Sequence, residues 1–143
     1  MKSAWKVIPG LPSKDIAATT AFYADILHFT VAQIKTNPGS PAPDFCSIYA
    51  GPKAAVNIYF TLEKDAQPGW VVIAMGTTQL EELYETIVAE GKAEVTEAIG
   101  DTEWGWRKFT VADLDGNKLT FFKFLEGGNP GGDEGEDLSL NVK

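Results

Sequence analysis

Trp104-Gly105-Trp106-Arg107-Lys108-Phe109-Thr110-Val111-Ala112-Asp113-Leu114-Asp115-Gly116-Asn117-Lys118-Leu119-Thr120-Phe121-Phe122 is the stretch that decides the fold. It reads as two alternating strands, about 106–112 and 118–124. The turn between them carries Asp, Gly and Asn, which tolerate positive φ and cap their own amides. Alternation puts Trp106, Lys108 and Thr110 on one face and Arg107, Phe109 and Val111 on the other. On the returning strand Thr120, Phe122 and Phe124 lie opposite Leu119, Phe121 and Lys123. These faces are aromatic and apolar, with almost nothing that binds a metal or moves a proton. That favours a binding protein over an enzyme.

Upstream, residues 93–99 form a further strand. Before it, Thr78 caps a helix, with Glu81 completing a capping box. Leu80, Leu83, Tyr84, Ile87 and Val88 make the apolar face of that helix, and Gly91 closes it. Trp70 to Met75 is the strand that leads in. The first half repeats the plan. Residues 4–9 read as a short strand ended by Pro9 and Gly10. Ser13 or Asp15 caps a helix with the stripe Ile16, Thr20, Tyr23 and Leu27. A strand at 29–36, a proline-rich loop at 37–43 and strands at 44–50 and 54–61 around Gly51-Pro52 complete it.

The order is therefore βαβββ twice. One helix for four strands covers one sheet face only, so the other faces must close on each other or curl around a ligand. The expected fold is α+β: paired βαβββ modules, about 4–61 and 69–125, forming a concave open barrel within one domain at 1–125. Residues 126–143 are acidic and glycine-rich and are expected to be disordered, because they offer too little to bury.

The 143 residues suffice for one domain with a real core. Twenty acids against 12 bases give a net charge of -8, and five of those acids fall in the tail. With Arg107 the only arginine and no basic stripe, a nucleic acid is not an expected partner. No apolar run reaches the roughly 18 residues of a membrane span, so a membrane is not expected either. Cys46 is the single cysteine, which leaves no intrachain disulfide and no zinc cluster. The N-terminus lacks a secretory pattern, and a cytoplasmic location is expected.

The chain resembles the vicinal oxygen chelate superfamily, and within it the glyoxalase and bleomycin-resistance proteins. The resemblance rests on Leu11-Pro12-Ser13-Lys14-Asp15-Ile16 with Phe22-Tyr23 and Leu27-His28-Phe29. It continues in Leu80-Glu81-Glu82-Leu83-Tyr84, and in Trp104-Gly105 with Arg107, Phe109, Asp113, Asp115, Gly116 and Asn117. Together these cover residues 5–125. In metal-using members, four His, Glu or Gln ligands come from strands one, four, five and eight. The resemblance places Ile8, Asn57, Trp70 and Thr120 at those positions, a set with no charged oxygen or imidazole donor. No metal and no other cofactor is therefore expected, and no catalytic residue is assigned. Metal-free resistance proteins are homodimers, often with the first strand exchanged, that hold a cationic glycopeptide in a groove between subunits. The resemblance thus implies metal-free small-molecule binding in an aromatic cleft, with sequestration of a cationic antibiotic of the bleomycin type as its specific form. A lyase, isomerase or dioxygenase-like enzyme of the same superfamily is the alternative.

The expected ligand-binding residues are Trp70, Asn57, Tyr59, Trp104, Trp106, Thr120, Phe122, Phe45 and Tyr49. Asn57 and Thr120 are the polar anchors, or else they satisfy each other. On the third strand either Phe45, Ser47 and Tyr49 or Cys46 and Ile48 face inward. Trp106 and Arg107 face opposite ways, and one of them is structural. Arg107 either pairs with an anionic ligand or, as the favoured reading, braces its hairpin, with Asp113 as a candidate partner. His28 reads as a surface residue just past the first helix, at a left-handed position. Cys46 reads as a small buried hydrophobe.

Overall fold

Among the described residues, eight strands form two four-stranded sheets with one topology used twice. The computed structural model describes residues 1–127, so the expected tail lies outside the described residues except for Glu126 and Gly127. The first sheet has the order β1-β4-β3-β2, from β1 (Gly10–Ser13), β2 (Thr30–Lys35), β3 (Phe45–Ala50) and β4 (Val56–Leu62). The second has the order β5-β8-β7-β6, from β5 (Trp70–Ala74), β6 (Glu94–Asp101), β7 (Trp106–Ala112) and β8 (Lys118–Phe124). In each module the first strand runs parallel to the fourth and the remaining pairings are antiparallel. The βαβββ repeat is therefore the architecture.

Helix α1 (Ile16–Ala21) starts at Asp15, whose carboxylate accepts the Ala18 amide at 3.0 Å. It widens into a π-type turn at Phe22–Ile26. Ser13, the other cap candidate, instead accepts from the Asp15 amide and lies 2.6 Å from the Thr19 hydroxyl. Helix α2 (Gln79–Glu90) ends at Gly91, which is left-handed with φ 65°. The expected side-chain cap from Thr78 is not made: no side-chain hydrogen bond caps α2 there, and the Glu81 carboxylate reaches Arg107 and Lys123.

The first strand also departs from expectation. Residues 4–9 lie outside any strand, and β1 begins at Gly10, opposite Tyr59. The Tyr59 amide donates to the Pro9 carbonyl at 3.0 Å, so the ladder opens on a residue that has no N–H to give. Pro9 and Gly10 mark a beginning, not an end. Trp5 and Val7 stay exposed.

Alternation sorts each strand between the two sides of its sheet. Cys46, Ile48, Ile58 and Phe60 of the first module, and Ile73, Phe109, Val111, Leu119 and Phe121 of the second, face the helices. With Ile16, Phe22, Tyr23, Leu27, Leu80 and Ile87 they form one continuous core across both modules. At about 25 cal/mol per Å2 of apolar surface, this burial is the main stabilising term. Gly69, entering β5, lies against Leu11 of β1, and a Cβ there would overlap that side chain. Among the described residues no helix is long and apolar enough to cross a membrane.

Candidate functional site

The side of the second sheet that carries no helix is aromatic. Trp106 stacks on Phe122 with centroids 3.9 Å apart and planes 16° apart, and Phe124 meets both rings edge-on. Trp104, in the turn before β7, meets Trp106 edge-on at 6.3 Å. The pairing of Lys108 with Phe122 across β7 and β8 sets Trp106 diagonally over Phe122, within reach of a stack. Trp106 and Arg107 do face opposite ways. Trp106 belongs to this face and Arg107 to the helix side.

A row of hydrogen bonds crosses all four strands beneath these rings. The Trp70 indole donates to Thr120 Oγ1 at 2.8 Å, Thr120 lies 2.8 Å from Thr110 Oγ1, and Thr110 donates to Glu97 Oε1 at 3.0 Å. Since the Thr110 proton goes to Glu97, the Thr120 hydroxyl is the donor to Thr110. Lys108 also reaches Glu97 at 2.8 Å. Hydrogen bonds from Lys108 and then Thr110 hold the Glu97 carboxyl below its usual range. Thr120 is therefore committed to Trp70 and Thr110, and its role is to orient the indole. Trp70 is 65% exposed, so it is not a packed core residue.

In the first module Phe45, Ser47, Tyr49, Asn57 and Tyr59 share the helix-free side, and Cys46 and Ile48 point into the core. Phe45 and Tyr59 meet edge-on at 5.1 Å. The Asn57 amide nitrogen donates to Ser47 Oγ and the Ile48 carbonyl, at 3.0 and 2.7 Å. Asn57 and Thr120 thus have different partners. The nine expected residues fall into a Phe45–Tyr59 group with Asn57 and Tyr49 near it, and a larger group around Trp106. Asn57 lines a slot of about 420 Å3 between β4 and β5.

Arg107 does not brace Asp113. Its guanidinium donates to Asp101 at 2.8 Å and Glu81 at 2.9 Å, tying β7 to β6 and α2. Alternation set Arg107 opposite Trp106 without saying which side α2 covers, so its partners Glu81 and Asp101 are fixed only by the packing of α2 and β6 against β7. Lys123, on the same side of β8, completes the group 2.9 Å from Glu81. Partial burial pushes the Glu81 carboxyl up, but hydrogen bonds from Lys123, its own backbone and Arg107 bring it below the usual range.

Asp113 belongs to a polar clamp between the modules, which reasoning from the local pattern missed. Its carboxylate accepts from Tyr23 at 2.7 Å, from the Asn117 side chain at 2.9 Å, and from the Asp115 and Asn117 amides. Asn117 donates to the Pro12 carbonyl and accepts the Gly69 amide. Asp115 accepts the Lys14 amide and the Thr19 hydroxyl. Burial pushes the Asp113 carboxyl up, against the lowering effect of the Tyr23 and Asn117 hydrogen bonds. Burial, then the nearby Asp113 charge, pushes the Tyr23 phenol far above its ordinary range. His28 sits at φ 62° and meets Glu90 at 3.0 Å, as a left-handed surface position implies. Cys46 is fully buried, and desolvation raises its thiol.

A divalent cation does not suit the four positions that the family resemblance singles out. Asn57 offers one neutral amide oxygen, the Thr120 hydroxyl is engaged by Trp70 and Thr110, Trp70 offers only a donor, and Ile8 offers no side-chain ligand. Among the described residues no three His, Cys, Asp or Glu side chains converge on a point where a metal could sit.

The sequence from 8 to 121 matches the model of the Glyoxalase/Bleomycin resistance protein/Dioxygenase superfamily. No match to a curated protein was found. Among solved structures, TioX from Micromonospora sp. ML1 is similar with a TM-score of 0.66 at 14% identity, over 83% of this chain and 98% of that one. A glyoxalase/bleomycin resistance protein/dioxygenase from Nocardioides is similar with a TM-score of 0.64 at 22% identity, over 90% and 87%. A superfamily member from Sphaerobacter thermophilus gives 0.65 at 20%, over 85% and 98%. At these identities the likeness concerns the fold. The matched region spans both modules and the clamp between them, and the chain belongs to the vicinal oxygen chelate, or glyoxalase/bleomycin resistance, superfamily.

Proposed function

We propose that this chain is a small-molecule-binding protein that sequesters a cationic aromatic compound of the bleomycin type, without metal and without turnover. The observation that carries the reading is the open aromatic face: Trp106 stacked on Phe122, with Trp104 and Trp70 each 65% exposed beside it. Such rings offer π-faces to a planar or cationic group, worth roughly 0.5–2 kcal/mol per contact. The net charge of -8 draws a cation in. The polar row beneath the rings is occupied by internal hydrogen bonds, which suits a surface that binds without reacting.

A homodimer is part of this reading, with the helix-free faces of two copies enclosing the ligand and the sheets curling into a concave open barrel. The slot between β4 and β5 supports it. β4 runs three residues, Val56 to Ile58, beyond its pairing with β1, and β5 is a sheet edge. The exposed segment containing Trp5 and Val7 is the length of a short strand, and exchange between copies would use it. The lone buried thiol of Cys46 suits the reducing cytoplasm.

Tryptophan-quenching titration with bleomycin, alongside sedimentation equilibrium, tests the proposal. The expected result is saturable quenching at one ligand per subunit in a dimer, weakened about tenfold by Trp106→Ala. Absence of saturable quenching by both bleomycin and ethidium rejects sequestration of a cationic aromatic compound. Chemical conversion of the bound compound moves the chain to the lyase, isomerase or dioxygenase-like reading.

A further inference from the structure

On the helix side of the sheets lies a cavity of about 330 Å3, away from the aromatic face. Leu27, Phe29, Ile73 and Phe121 wall it and are nearly buried, with Val56 and Leu83 completing the lining. Phe121 points into it while Thr120 and Phe122 point to the other side of β8. The two surfaces are thus separated by a sheet. From this geometry we infer that the cavity is a second small-molecule site, for an uncharged, hydrocarbon-rich compound of one or two fused rings.

Three observations carry this, none of them drawn from the aromatic face. The first is pseudo-symmetry. The β7–β8 turn closes on the end of β1 and the start of α1, filling that junction with the Asp113–Asn117 clamp. The β3–β4 turn faces the end of β5 and the start of α2, and that junction holds the cavity. Where the first module offers Thr19 and Tyr23, the second offers Leu83 and Ile87, and small residues such as Ala50 and Gly76 leave the space open.

The second observation is backbone conformation at the mouth. Lys53 and Ala54, in the turn on one side, have φ of 49° and 53°, and His28 on the other has 62°. L-residues resist this region, and it persists only where surrounding structure imposes it. The third is the chemistry of the lining. It holds no acid, lysine or arginine, and its one ionisable side chain, His28, is engaged by Glu90. A charged guest would lose hydration without gaining a partner. A dry apolar void of about 150 Å3 accepts a benzene ring, so this volume accommodates roughly two fused rings.

Prodan, an uncharged naphthylamine of two fused rings that brightens in apolar surroundings, provides the test on the full chain. The wild type is expected to bind it saturably, with affinity lowered at least tenfold by Ala50→Leu and by Leu83→Trp, each of which fills the cavity. Trp106→Ala should leave that affinity within twofold while weakening bleomycin, so the two sites succeed or fail separately. No saturable binding, binding insensitive to both filling variants, or loss on Trp106→Ala overturns the inference. If a filling variant does not fold, methyl NMR of the wild type with the probe answers the same question. Shifts centred on Leu27, Val56, Ile73 and Leu83 support the site, and shifts centred on Val72, Thr110 and Thr120 overturn it.

Discussion

The turn between β3 and β4 and the turn between β7 and β8 occupy the same place in two copies of one topology, yet they solve the place differently. In the second, Asp113, Asp115 and Asn117 satisfy their own backbone, hold Gly69 of their own module, and bind Pro12, Lys14, Thr19 and Tyr23 across the module boundary. In the first, Pro52, Lys53 and Ala54 bring no short polar side chain. Backbone bonds from Ala54 to Gly51 and from Ala55 to Pro52 close the turn, with two non-glycine residues left-handed. Short polar side chains turn a connection into a clamp. Without them the same connection stores strain and leaves a cavity.

The strongest way to break this comparison is to remove the centre of the clamp. Asp113→Ala leaves the buried Tyr23 hydroxyl, the Asn117 amide and two backbone amides without their acceptor, and should cost about 3 kcal/mol or more in urea unfolding at neutral pH. A loss under about 1 kcal/mol would mean the apolar core alone joins the modules. Tyr23→Phe should cost less, about 1–2 kcal/mol, because Asp113 keeps its other donors.

The clamp also has a pH signature at each end of the range. Burial raises Asp113 above its unfolded pKa of about 3.9. Its contribution is then complete below that pH and is lost as pH rises through the folded value. Asp113→Asn cannot ionise, so its deficit relative to wild type should shrink as pH rises across the acid range. Tyr23 is likewise raised, so its contribution is complete below about pH 10 and declines above it. Tyr23→Phe should therefore flatten the alkaline loss of stability by one proton. An alkaline limb of unchanged slope would show that the phenol ionises in the folded state as readily as in the unfolded chain.

How far the sequence reported all this depends on range. β7 and β8 were legible to the residue because alternating apolar side chains flank an Asp-Gly-Asn turn, and both signals are local. The cap of the first helix was legible only as Ser13 or Asp15, and the structure chooses Asp15. The clamp was not, because its bonds join residues about 90 to 105 positions apart, and Asp113 and Asn117 satisfy local turn rules equally well with no distant partner. Pro9 and Gly10 misled because a strand that opens on a proline carbonyl and one that stops at proline look alike in sequence. The aromatic face was half legible. Alternation placed Thr120 with Phe122 and set Trp106 opposite Arg107, but only the three-dimensional register brings Trp106 onto Phe122 and puts the Trp70 indole on Thr120. The cavity lies between two modules, where no periodicity speaks.

A smaller perturbation sharpens the contrast inside the clamp's own turn. Gly116 has φ 83°, and a Cβ there would lie 3.3 Å from Pro68 Cγ. Gly116→Ala should cost about 1–2 kcal/mol, from the left-handed penalty plus the tight approach. Thermal unfolding reads it directly, and an unchanged midpoint would mean that the turn relaxes without disturbing Pro68.

The inverse substitution in the other turn gives the smallest effect, with the opposite sign. Ala54 sits at φ 53° and is half-buried. Ala54→Gly removes the steric penalty but enlarges the freedom of the unfolded chain, so the net gain should be only about 0.5 kcal/mol. If the strain serves merely to close the hairpin, relieving it raises the unfolding midpoint and leaves naphthylamine binding alone. If the strained turn holds the cavity open, the same variant gains stability and loses affinity, because the turn is freed to settle inward against Leu83 and Met75. Stability and binding moving in opposite directions is the outcome expected here, and parallel changes would reduce the left-handed pair to an incident of turn length.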